Sequence, residues 1–224
     1  MKLRNYTIYI VTFLFCACSP SYTLQSYEDK VIEINAIEDS TVLAIIAPYQ
    51  NAIEAEMKNR GAEADFRATG QTGIFIAGRG VSIDAVIADF ISGAVEWLCP
   101  DNHENHWDLV EGQGSLFNVS YAGVTIGLIH GAQPDAIVVC HEAGRPHMRS
   151  MPHFPLIDLP TCIEANLQAA RLTNPNVKCV GASINTSNLT EKEGREFCEK
   201  VSQEINLPAV DPLRDGVKAL VDNI

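Results

Sequence analysis

The chain has 224 residues, enough for one domain or one domain with a small appendage, and 46% hydrophobic against 20% charged residues supply an ordinary globular core. With 28 acidic residues against 16 basic ones the formal net charge is −12, a surface that repels phosphate backbones and argues against nucleic acid as a partner. The seven cysteines form no C-x-x-C pair and have no His-rich companion motif, which argues against a zinc site.

Lys2 and Arg4 open the chain as a short basic region, and residues 8–17 follow as an apolar run too short to span a bilayer. Phe15-Cys16-Ala17-Cys18 has the shape of a lipoprotein cleavage box, with Ser19, Pro20 and Ser21 as a polar exit. This order reads as an export signal over residues 1–18 with Cys18 as the lipidated residue; a plain N-terminal tail is the alternative. Export would place the body outside the cytoplasm, tied to a membrane only through a lipid anchor. The five later cysteines, each among apolar neighbours, suit a reducing compartment instead.

Residues 31–37 alternate, Ile32 and Ile34 against Glu33 and Asn35, as a short strand does. Asp39 or Ser40 can cap a helix running through Leu43, Ile46, Ile53 and Met57, kinked at Pro48 and ended by Gly61. From Ala64 the texture changes to strands over residues 64–68, 106–111, 135–140, 177–184 and 208–210. Helices are predicted over 83–98, 121–129, 159–172, 190–205 and 213–221. Ile83, Val86, Ile87, Phe90, Ile91, Ala94 and Leu98 recur at helical spacing, whereas Ala136-Ile137-Val138-Val139 shows no alternation and reads as a strand covered on both faces. Buried strands alternating with helices predict an α/β fold, a mostly parallel sheet with helices on both faces.

The residues with chemistry fall after successive strands. Glu111, followed by Gly112, Gln113, Gly114 and Ser115, ends one strand; its carboxylate could hold Mg²⁺, or it could be an exposed acid on a glycine-rich turn. Arg67, Thr69, Gln71 and Thr72 end the strand before it, with Arg79 a little further on, a set that could cradle an anion or form a solvated loop. His141 and Glu142, with Arg145, follow the next strand and could do acid–base work. Cys140 reads as a core thiol rather than a nucleophile. Asn185 follows the strand after that and could read a ring edge or cap the following helix. In a parallel sheet these positions share one edge, where open α/β sheets bind ligands.

The stretches Ala64-Asp65-Phe66-Arg67-Ala68-Thr69-Gly70-Gln71-Thr72-Gly73, Ile76-Ala77-Gly78-Arg79-Gly80, Glu111-Gly112-Gln113-Gly114-Ser115-Leu116, Tyr121-Ala122-Gly123-Val124-Thr125 and Arg171-Leu172-Thr173-Asn174-Pro175 closely resemble the D-glutamate N-acetyltransferase family, formerly a domain of unknown function. The resemblance runs from about Asn59 to the end. It implies a P-loop-type three-layer sandwich and transfer of an acetyl group from acetyl-CoA to the amine of D-glutamate. By that analogy Glu111 takes the metal or amine-activating position, and Arg67 and Arg79 lie near anionic groups. The sequence departs from the family in having no G-x-x-x-x-G-K-[ST] loop and no Rossmann-like domain before it, so the strand that carries the loop is expected to be missing.

Residues up to about Met57, through Ile45-Ile46-Ala47-Pro48-Tyr49, resemble the start of a Bacteroidetes-type exported lipoprotein of the 5′-nucleotidase group. The chain thus divides into a signal over 1–18, an unrelated segment over 19–57 and the family domain over 58–224. Only residues 31–37 are expected to stand in for the missing strand. The functional expectation is a truncated, impaired acetyltransferase, with a noncatalytic envelope lipoprotein that keeps an anion-binding fold as the alternative.

Overall fold

The computed structural model describes the backbone of residues 6–11 and all of residues 52–149 and 151–224. Its strands are β1 (Tyr6–Val11), β2 (Glu63–Arg67), β3 (His106–Glu111), β4 (Ala136–Glu142), β5 (His147–Met148), β6 (Met151–Pro155), β7 (Lys178–Asn185) and β8 (Ala209–Val210). Its helices are α1 (Ala52–Asn59), α2 (Gln71–Ala77), α3 (Ile91–Leu98), α4 (Ala122–Ala132), α5 (Leu159–Arg171), α6 (Glu191–Ile205) and α7 (Lys218–Val221). Six strands form one sheet in the order β2-β3-β1-β4-β7-β8, every neighbouring pair parallel. β5 and β6 make a separate antiparallel pair that the sequence pattern did not reveal.

The core has two parts, one on each face of the sheet. Val110, Ile137, Val139 and Ile184 pack on one face with Val95 of α3, Leu128 and Ile129 of α4, Cys162 and Leu167 of α5 and Val201 of α6. Leu109, Val138 and Val180 pack on the other with Ile53 and Met57 of α1 and Leu220 of α7. The apolar run of β4 is therefore covered on both sides, as its lack of alternation predicted. Because Ile53 and Met57 belong to this core, α1 runs across the boundary expected at residue 57 as one packed helix.

The interior of the sheet holds the main departure from expectation. The position of the phosphate-loop strand, between β3 and β4, is filled by β1, with Tyr6 to Ile10 opposite Trp107 to Glu111 and Ile8 to Val11 opposite Ala136 to Val139. The segment read from its basic neighbours and apolar run as the front of an export signal is also a run of β-branched and aromatic residues without alternation, the pattern of an interior parallel strand. The proposed substitute, residues 31–37, lies outside the described residues, as does Cys18.

Other elements follow local chemistry. Asp158 caps α5, its carboxylate accepting the Thr161 N–H at 2.8 Å, and Thr190 and Glu193 form a reciprocal capping box on α6. The helix expected over 83–98 is instead two turns of 3-10 helix, Ile83–Ala85 and Ala88–Phe90, leading into α3. Val86 and Ile87 between them are extended, and apolar residues three apart serve a 3-10 turn as well as an α-helix. The helix expected over 213–221 shortens to α7 because the Asp211 carboxylate accepts the N–H groups of Leu213 (2.9 Å) and Arg214 (3.3 Å), holding that segment in a turn.

Candidate functional site

Parallel pairing puts the carboxyl ends of β2, β3, β4 and β7 on one edge of the sheet, and the predicted residues gather there in two clusters. The first joins β2 to β3. Glu111, 7% exposed, accepts the N–H groups of Thr69 and Gly70 on one carboxylate oxygen, both at 2.9 Å. The Thr69 hydroxyl donates to the Glu111 carbonyl at 2.5 Å, and the Gln113 amide reaches the same hydroxyl at 3.4 Å. Gly70 is the N-cap residue of α2 and has no side chain to offer, so Glu111 supplies the cap from the neighbouring strand. This explains why residues 71–77, read as a glycine loop, are helical. It also fixes Gly73, where a Cβ would overlap the Glu111 carboxylate. Burial pushes the Glu111 carboxyl up from its ordinary range, and the amides of Gly70 and Thr69 pull it partly back.

A magnesium ion at Glu111 would have to use its second carboxylate oxygen, with water completing the shell. Its first oxygen is taken by the amides of Thr69 and Gly70.

Gln71 and Thr72 are exposed on the first turn of α2. Ser115 is buried and its hydroxyl accepts the Phe117 N–H, while the Gln113 carbonyl accepts the Thr125 hydroxyl at 2.7 Å, tying the Gly112–Gly114 turn to α4. Arg67 is not an open anion-binding group. Its side chain turns back along the sheet, with Nε donating to Asp108 at 2.6 Å and Asp65 3.4 Å away, and Asp108 is 1% exposed. A charged residue in the middle of an apolar strand, Asp108, was the signal that Arg67 had a buried partner. Arg79 stands beyond the other end of α2, its side chain 70% exposed.

The second cluster joins β4 to β7. The His141 ring stacks on Phe197 of α6, centroids 6.0 Å apart and planes 6° from parallel. Burial, with the Arg145 charge adding to it, holds His141 below its ordinary value, so its imidazole is neutral near pH 7. Arg145 donates to one oxygen of Glu142 and Asn188 donates to the other at 3.3 Å. Asn185 caps a local turn, not the next helix: its side-chain oxygen accepts the Ser187 N–H at 2.9 Å. Cys140 is a core thiol as expected, pushed up to about 12 by burial. Phe197 and Asn188 were not found from sequence, since both belong to the site only through the packing of α6 and its preceding loop on β4.

Between the clusters ends β1. Ile10 lies opposite Glu111, and Val11 opposite Val139, two residues before His141. The arrangement therefore offers a neutral imidazole on one side of a central strand end and a buried carboxylate with polar neighbours on the other.

A family model described as the P-loop domain of DUF1611, a domain of unknown function, matches residues 50–221. A D-glutamate N-acetyltransferase from a Pseudoalteromonas species is 54% identical over 173 residues, 77% of this chain and 52% of that protein. One from Tritonibacter scottomollicae is 52% identical over 171 residues, 76% of this chain and 51% of that protein. A crystal structure of a DUF1611 family protein from Anabaena variabilis superposes with a TM-score of 0.76 at 28% identity, covering 99% of this chain and 57% of that one. The chain thus spans about half the length of the curated relatives it matches.

Proposed function

The chain belongs to the DUF1611 family through its P-loop domain, and on that premise we propose that it carries acetyl-transfer machinery for the amine of D-glutamate, working poorly in this chain because no phosphate loop is present in the sequence. The observation that carries this reading is the identity of 54% and 52% to two proteins named D-glutamate N-acetyltransferase. The matched span of the family model, 50–221, includes both clusters.

In this reading His141 takes a proton from the substrate ammonium, a task that needs a neutral imidazole. The freed amine attacks the thioester carbonyl carbon of acetyl-CoA. A C–N bond forms, the C–S bond breaks, and the CoA thiolate leaves. Of the two protons that the nitrogen loses, one goes to the thiolate and the other passes through His141 to solvent. Phe197 holds the ring in place and Glu142, fixed by Arg145 and Asn188, lines the same edge. Glu111 holds α2 and the Thr69–Gly70 turn in shape rather than acting on substrate. A phosphate loop would add backbone amides and a lysine for the donor's pyrophosphate. Its absence weakens donor binding without removing the acid–base group.

The test is thiol release from acetyl-CoA by the full chain with D-glutamate and, separately, L-glutamate. Slow release that prefers the D isomer and disappears in His141→Ala is expected. Turnover equal to that of a full-length relative would contradict the impairment. Release unchanged by His141→Ala would contradict the assignment of the base.

A further inference from the structure

Beyond α2, away from Glu111, lies an open cleft of about 350 Å³ beside β2, the end strand of the sheet among the described residues. Phe66, Ala68, Ile74 and Leu98 give it apolar walls, and Trp97 and Arg79 stand at its mouth. Trp97 is 75% exposed, at the last turn of α3, and leaves one ring face open beside the cleft. Among the described residues no carboxylate lines the cleft, in a chain whose net charge is −12; Asp65, 3.8 Å from Arg79, lines the cleft on the other side of β2 instead. α2 ends at Gly78 in the left-handed conformation (φ 72°), which turns the chain out of the helix and exposes Arg79 and Gly80. Among the described residues the N–H groups of Arg79 and Gly80 donate to no backbone or side-chain acceptor.

A planar aromatic face, an exposed guanidinium held only by a long 3.8 Å ion pair to Asp65, and two adjacent open amides over an apolar floor match a ligand with a flat ring and a phosphate. The ring stacks on Trp97, and the phosphate takes Arg79 and the amides, as anions do at turns that present successive N–H groups. We propose that this cleft binds the phosphorylated adenosine end of the acyl donor. The choice of donor rests on the acetyl-transfer reading; the ring-plus-phosphate chemistry rests on the cleft alone. The placement suits an elongated donor. The seven residues of α2 rise about 10 Å, and the helix runs from Gly70, bonded to Glu111, to Gly78 at the cleft. The adenosine end is thus held beside β2 while the thioester end reaches the sheet edge. This also gives the donor an anchor that does not depend on the missing phosphate loop.

Adenosine 3′,5′-bisphosphate is the probe, since it has neither thiol nor acyl group and its binding is independent of acetyl transfer. Trp97 emission is followed in the full chain carrying Trp107→Phe, with calorimetry on the unmodified chain. Saturable quenching is expected, with Arg79→Ala weakening binding about 10-fold or more and adenosine without phosphates binding far more weakly. Both Arg79 and Trp97 are exposed, so thermal melts of Arg79→Ala and Trp97→Ala should match the parent. Absence of saturable binding by both methods, or binding unaffected by either substitution, would overturn the proposal. Acetyl transfer that persists without bisphosphate binding would sink the cleft alone; bisphosphate binding without acetyl transfer would leave the cleft standing and count against the transfer reading.

Discussion

Glu111 and Arg67 show how the same residue types can be visible in sequence and their work invisible. Both were marked for their place at strand ends, yet Glu111 caps a helix across the sheet and Arg67 neutralises a buried acid. Removing the carboxylate in Glu111→Ala leaves two N–H groups without their acceptor, a loss of about 1–3 kcal/mol by chemical denaturation. Glu111→Gln keeps an acceptor oxygen and should stay within about 1 kcal/mol of the parent. Arg67→Ala strands Asp108 without its partner and should cost about 3–5 kcal/mol, while Arg67→Met combined with Asp108→Leu should recover most of that. A double variant no more stable than Arg67→Ala would contradict this account of the pair.

His141 adds a pH signature. Its folded value lies below the ordinary 6.5, so between the two values the unfolded chain binds more protons. Its contribution is fully present above about pH 6.5 and is lost as pH falls through the folded value. His141→Phe should flatten the stability profile in that window. Glu111, raised above its ordinary 4.5, acts with the opposite sign: its contribution is present below 4.5 and declines as pH rises through the folded value.

At the scale of elements, the strands that were legible were those whose pattern fits one reading. Residues 135–140, an apolar run, and residues 106–111, ending in an acid, became β4 and β3. The Tyr6–Val11 segment fits two readings, a leader and an interior strand, and local pattern cannot choose between them because the choice depends on β3 and β4 elsewhere in the chain. α2 was missed because its cap comes from residue 111, and the 83–98 helix was overcalled because 3-10 and α spacing overlap. The two readings of residues 6–11 exclude each other in a folded molecule, since cleavage before Cys18 would take β1 out of the sheet. Both flanking strands would lose their partner, at about 1–3 kcal/mol for each buried polar group left unpaired, against a total stability of about 5–15 kcal/mol. A chain of residues 19–224 should therefore be aggregated or molten, with weak near-ultraviolet circular dichroism and strong dye binding, whereas the full chain melts cooperatively. Ile8→Pro in the full chain should mimic the truncation, because proline removes a ladder hydrogen bond from a central strand. A sharp melt of 19–224 as a monomer would show that β1 is dispensable.

The matched span covers about half of the curated relatives, yet it contains both clusters that flank the central strand end. The shared sheet edge and the grouping of Thr69 with Glu111 follow from a parallel α/β pattern, whereas the insertion of β1 between β3 and β4 does not. The stacking of His141 on Phe197 and the cleft at Trp97 depend on how helices far apart in sequence settle on the sheet, which no local pattern encodes. The central proposal is that this chain, which matches about half the length of its curated relatives, moves an acetyl group to D-glutamate through His141. Incubation of the full chain with D-glutamate and isotope-labelled acetyl-CoA, with mass spectrometry of the products, tests it directly. The account predicts labelled N-acetyl-D-glutamate, formed slowly and absent with His141→Ala; no labelled product from the folded chain at high donor concentration, or equal product from the His141→Ala chain, would contradict it.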